Sequence, residues 1–290
     1  AKDTEIIYSD CGDLLSISDR DIKRAKEKAK NVDIIIVVVG ENPLRYTASK
    51  TEGENTDRSD LDLPGRQLEL VQALASTGKP IVTVLVNGRP LSIPWIAEHI
   101  PAIVEAFHPG SEGGLAVAEI LFGEINPSAK LSYTIPRGVG HVRTTYNYKP
   151  SDVVRTYILG ETAPLFNFGH GMSYTTFEYS NLRVTPKIKA DDNIEMKVSI
   201  QNTGRRSGDE VILLYIRDQY ASVPMPVKQL KAFTKISLEP GEKKEISFIL
   251  LPESLALVNL DLKWVVEPGF FDVYVGNLHS TFEVQNSLIS

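Results

Sequence analysis

Near residue 135 the apolar residues of this chain change their spacing, and that change sets the broad architecture. Before it, short apolar runs alternate with segments of helical period, whereas from residue 177 onward apolar and polar residues alternate one for one. The continuous β-branched run over 33–40 suits a strand buried on both faces of a parallel sheet. Helical patterns over 19–31, 65–77, 93–99 and 113–122, with further strands over 81–86, 102–107 and 130–134, complete an αβ order. Such an order implies a mostly parallel sheet with helices on both faces. In the last third, Ile194, Met196, Val198 and Ile200 alternate with Glu195, Lys197 and Ser199. Half-buried runs near 177–186, 193–202, 209–217, 229–238, 243–251, 262–266 and 270–276, separated by turn residues, predict an immunoglobulin-like β-sandwich. The expected division is an α/β domain over 1–140, a connecting segment over 141–176 and an all-β domain over 177–290, with Phe248, Trp264 and Phe271 in the β core.

Charge and cysteine content narrow the function classes. The 290 residues carry a net charge of -6 and offer no basic stripe to neutralise phosphates, so neither nucleic acid nor an anionic membrane surface is the expected partner. Cys11 is the only cysteine, which excludes an internal disulfide and a thiolate metal cluster. No apolar run is long enough for a membrane span, and no secretory signal is expected on this chain.

In open α/β sheets ligands bind beyond the carboxyl ends of the strands, which selects the loops starting at Glu41, Asn87 and His108. The first is the longest and most polar. It holds Glu52, Glu54, Asp57, Arg58 and Asp60, and a carboxyl group on such a loop can serve as general acid while an arginine orients its neighbours. Residue type alone does not choose among these carboxylates. The glycines around Gly110 match neither a phosphate-binding loop nor a nucleophile elbow. His108 and His141 lack metal-ligand spacing and read as ordinary polar groups. No metal and no cofactor are expected.

Taken in order, several motifs resemble the C-terminal portion of family 3 glycoside hydrolases, the β-glucosidase and β-xylosidase type. They are the Val-Val-Val-Gly run ending at Glu41, the segment from Gly53 through Arg58 into Leu61 and Gln67, the Asn87 to Leu91 turn, the His108 to Gly114 loop and the segment from Pro164 to Phe177. The resemblance covers essentially the whole chain. It implies an α/β sandwich domain followed by a fibronectin type III-like domain, and a separate N-terminal β/α barrel of the same enzyme carrying the nucleophile. It also implies a retaining, exo-acting β-glycosidase, β-glucosidase foremost, acting on a β-linked oligosaccharide or glycoside in a periplasmic or secreted setting. By the same resemblance Glu54 is the general acid/base, with Glu52 the runner-up, and Arg58 supports the loop by pairing with carboxylates such as Asp57 or Asp60. The competing function is a non-catalytic carbohydrate-binding or interaction module.

Overall fold

The computed structural model describes residues 3–44, 48–141, 144–150, 157–158 and 160–286. These form two compact units whose segments interleave along the chain. The first takes the described residues within 1–125, 134–144 and 163–167, and the second those within 126–133, 145–162 and 168–290.

In the first unit, α1 (Asp19–Ala29) starts at a reciprocal cap: the Ser18 hydroxyl accepts from the Asp21 N–H, and the Asp21 carboxylate accepts from the Ser18 N–H. Its buried residues, Ile22, Ala25 and Ala29, recur at helical spacing among lysines. The strands β1 (Ile35–Gly40), β2 (Ile81–Val86) and β3 (Ala102–Glu105) lie parallel in the order β1-β2-β3, with Ile35 opposite Ile81 and Val82 opposite Ala102. The connections run through α2 (Gln67–Ala75) and α3 (Pro94–His99), and α4 (Gly113–Leu121) follows β3. One face of the sheet, carrying Ile35, Val37, Val39, Ile81 and Leu85, forms a core with Ile22, Leu70, Val71, Leu74 and Ile96. Each such side chain contributes about 2 kcal/mol on burial, so this core fixes the strand ends and hence the loops above them.

Two expectations need correction here. The run over 33–40 is not buried on both faces: Ile36 and Val38 are 46% and 62% accessible, because the described core packs only on the opposite face of β1. The segment 130–134 is not a strand. Its backbone bonds are divided, with the Leu131 N–H donating to the His170 carbonyl and Ile135 bridging antiparallel to Phe166.

The second unit is all β. A five-stranded sheet has the order β5-β13-β12-β7-β8, from β5 (Lys187–Lys189), β7 (Gly208–Asp218), β8 (Gln229–Leu238), β12 (Gly269–Val275) and β13 (Leu278–Gln285). A three-stranded sheet has the order β4-β6-β9, from β4 (Phe177–Val184), β6 (Ile194–Asn202) and β9 (Lys243–Leu250). The inward residues of both sheets, among them Ile194, Met196, Ile200, Leu214, Phe248, Phe271 and Val273, make one core. Trp264 is not part of it. It lies in the two-residue strand β11 (Trp264–Val265) opposite β10 (Leu257–Val258), and the pleat turns Leu257 inward while Trp264 points to solvent, 75% accessible. Buried Asn202 ties the end of β6 to its surroundings: its carbonyl accepts from the Thr175 hydroxyl and the Gly204 N–H, and its amide donates to the Arg206 and Leu238 carbonyls.

Candidate active site

The carboxyl ends of β1, β2 and β3 bring three loops together. At the end of β1 the backbone of Gly40 is held by Gln67, whose amide accepts from the Gly40 N–H at 2.7 Å and donates to its carbonyl at 2.8 Å. A side chain at residue 40 would place a Cβ 1.9 Å from the Val86 carbonyl oxygen, so only glycine lets β1 and β2 stay paired to their last residues.

Beyond Gly40 the chain forms a neck. The Thr51 N–H donates to the Asn42 carbonyl at 2.9 Å, and the Asn42 N–H donates to the Thr51 hydroxyl at 3.0 Å. A turn follows, closed by the Thr56 N–H donating to the Gly53 carbonyl at 3.1 Å. Glu54 stands exposed on this turn, and Lys50 donates to its backbone carbonyl.

Glu52, two residues earlier, lies in the opposite environment. It is 3% accessible; one oxygen accepts from the Gly88 N–H at 2.8 Å and the other lies 2.8 Å from His108 Nε2. Its carboxyl group also meets that of Glu41. Glu41 is buried between two guanidinium groups, Arg58 at 2.8 Å and Arg89 at 3.0 Å. Burial pushes its carboxyl above the usual glutamate range and the Glu52 carboxyl adds to that, while Arg58 and Arg89 oppose both. Arg58 also pairs with Asp60, and Arg89 pairs with Asp57 at 2.6 Å. The Arg58 backbone N–H, together with Arg89, holds the Asp57 carboxyl below its ordinary value.

Of the residues singled out from sequence, Glu52, Glu54 and Arg58 therefore share one loop but differ in surroundings: Glu54 is exposed, Glu52 is enclosed, and Arg58 braces the loop onto Glu41 and Asp60. Sequence reasoning missed Glu41 as the buried carboxyl group at the centre, Arg89 as its second guanidinium partner and His108 as the neighbour of Glu52. The position of Glu41 immediately after the apolar strand, facing the Asn87 to Pro90 turn of the neighbouring strand, was the available signal. Among the described residues no group of three histidine, cysteine, aspartate or glutamate side chains is disposed to hold a metal ion.

Residues 5–174 match the glycosyl hydrolase family 3 C-terminal domain, and residues 210–279 match a fibronectin type III-like domain. The chain belongs to glycoside hydrolase family 3. Among the family 3 relatives, a β-xylosidase of Formosa agariphila is 45% identical over 94% of this chain and 37% of its own length. A periplasmic β-glucosidase of Salmonella typhimurium is 39% identical over 88% of this chain and 34% of its own length. The crystal structure of a Listeria innocua β-glucosidase in complex with glucose superposes with a TM-score of 0.86 at 32% identity, covering 94% of this chain and 39% of that one. The chain thus spans about a third of the length of the curated relatives it matches.

Proposed function

We propose that this chain carries the general acid/base of a retaining, exo-acting β-glycosidase, with Glu54 as that group, and that a β/α barrel of the same enzyme supplies the nucleophile. The observation that carries the choice is the contrast between the two glutamates. One oxygen of Glu52 accepts from the Gly88 N–H and the other lies against His108 in a buried setting, whereas Glu54 is exposed on a turn whose base is braced. A retaining mechanism needs two carboxyl groups about 5 Å apart across the glycosidic bond, one attacking the sugar and one protonating the leaving oxygen. Glu54 fits the second role, later taking a proton from the water that releases the sugar. The names of the relatives support β-glucosides and β-xylosides as the substrate class, with β-glucosides the first choice.

The test compares substrates of different leaving-group acidity on the complete enzyme. Glu54→Ala is expected to slow poor leaving groups by about 10²–10⁴-fold while sparing dinitrophenyl glycosides, whose leaving group hardly needs a proton. Azide is expected to accelerate the variant by entering the vacated space. If Glu52→Ala shows azide rescue and Glu54→Ala does not, the acid/base is Glu52. If a complete, folded enzyme binds saccharides without turnover, the chain belongs to a binding module.

A further inference from the structure

The backbone at Phe107 is left-handed, φ 51°, in a bulky residue that is costly to hold there. The kink has local compensation. The Phe107 carbonyl accepts from the Asn87 N–H at 3.2 Å, and the Phe107 N–H donates to the Glu105 carboxylate at 3.2 Å, so the end of β3 is pinned to the end of β2. The next residue is His108, and the kink delivers its Nε2 to 2.8 Å from Glu52. Gly88 sits at the same junction. A Cβ there would lie 2.7 Å from His108 Nε2 and 3.0 Å from the Glu52 oxygen that accepts the Gly88 N–H. Strain, a missing side chain and a buried carboxylate thus meet at one point, where the loops after all three strands touch.

We propose that Glu52 is a positioning residue that latches the Glu54 turn to the ends of β2 and β3, with His108 as its counterpart on the far loop. The catalytic consequence rests on the reading of Glu54 as acid/base; the latch itself does not. Glu52 is one residue from the turn that begins at Gly53, so bonding its carboxyl group to Gly88 and confining it against His108 holds the base of that turn. Without the latch, the neck at Asn42, the ion pairs of Arg58 and the bonds of Arg89 to the Thr51 carbonyl and to Asp57 still hold the loop, but the Gly53 side of the turn loses its bond to the Gly88 N–H and its contact with the loop after β3. The exposed glutamate would then sample several positions over the substrate, and general acid catalysis depends on holding the proton within hydrogen-bond reach of the leaving oxygen.

Two measurements separate the latch from the acid assignment. In the 290-residue chain, tryptic cleavage after Lys50 and Arg58 reports opening of the loop. His108 is the safer position to vary, because its side chain is 42% accessible. His108→Leu is expected to speed cleavage about tenfold, the effect of about 1.4 kcal/mol lost from the closed loop, with the urea midpoint lowered by no more than that loss. His108→Gln, which keeps a donor, is expected to restore the wild-type rate, and Glu52→Gln is expected to behave like His108→Leu. Equal cleavage rates in wild type and His108→Leu would overturn the latch. In the complete enzyme, His108→Leu is expected to lower kcat for poor leaving groups about tenfold with KM unchanged and no rescue by azide, since Glu54 still fills its place. If Glu54→Ala cripples those substrates while His108→Leu leaves them untouched, the latch does not position the acid and the proposal fails. If Glu54→Ala shows no leaving-group dependence, the acid assignment falls and the cleavage rates alone decide the latch.

Discussion

Glu105 ends β3 with its side chain turned under the strand-end loops. Burial pushes its carboxyl up to about 7, against the opposing pull of the Phe107 N–H and the Asn87 side chain. The folded chain therefore keeps this proton in a window, from about 4.5 to about 7, where the unfolded chain has released it. More protons bound to the folded state means that stability falls as pH rises through the window, by on the order of 3 kcal/mol once both states are ionised. Glu105→Gln is expected to flatten that fall, as measured by urea unfolding at pH 5 and pH 8, and an unchanged slope would show that another group is responsible. Glu41 and Asp218 are displaced in the same direction by burial, so a smaller fall is expected to remain in the variant. At this scale the sequence was partly legible. Glu52, Glu54 and Arg58 stand close together on one contiguous loop, so local chemistry was enough to nominate them. Arg89 and His108 reach the same place from other strands, and their pairing depends on strand order and register, which local spacing does not encode.

Asn202 shows what a single polar side chain does for an element. It closes β6, holds the Thr175 hydroxyl and engages the carbonyl of Leu238 at the end of β8, all without access to solvent. Asn202→Ala would leave several buried polar groups unpaired, and a loss of about 3 kcal/mol is expected in urea unfolding followed by circular dichroism. Thr175→Val removes only one of these bonds and is expected to cost about 1 kcal/mol. If the two variants are equally stable, the side-chain carbonyl is not the organising acceptor. Elements with their own punctuation were readable from sequence: α1 carries its cap at Ser18, and β2 fills an apolar run ending before Asn87. β13 was missed although Gly276-Asn277 between Val275 and Leu278 is a two-residue hairpin signal, because its residues, Leu-His-Ser-Thr-Phe-Glu-Val-Gln, alternate only weakly. Trp264 misled for the opposite reason: a large aromatic in a two-residue strand has no period to say which way it faces.

At the scale of the whole molecule, the exposed side of β1 is the feature with the clearest physical consequence. Ile34, Ile36 and Val38 form an accessible apolar stripe on a strand that, among the described residues, has a neighbour on one side only. Unpaired edges of this kind invite association. Sedimentation velocity of the 290-residue chain is expected to show concentration-dependent self-association, and Val38→Lys is expected to shift it toward monomer with little effect on the urea midpoint; a wild-type monomer at all concentrations would show that the stripe is harmless. The interleaving of the two units bears instead on how the chain is made and how it can be inherited. Ile135 finds its partner at Phe166 only after the chain has passed through 126–133 and 145–162, whose described residues belong to the other unit. On the ribosome the last pairing of the α/β unit therefore waits for residues 163–167 to emerge, before any of the described strands of the second unit has been made. In the gene, any single crossover within 126–167 leaves at least one unit assembled from two parental sequences, so its packed segments are then no longer drawn from one parent.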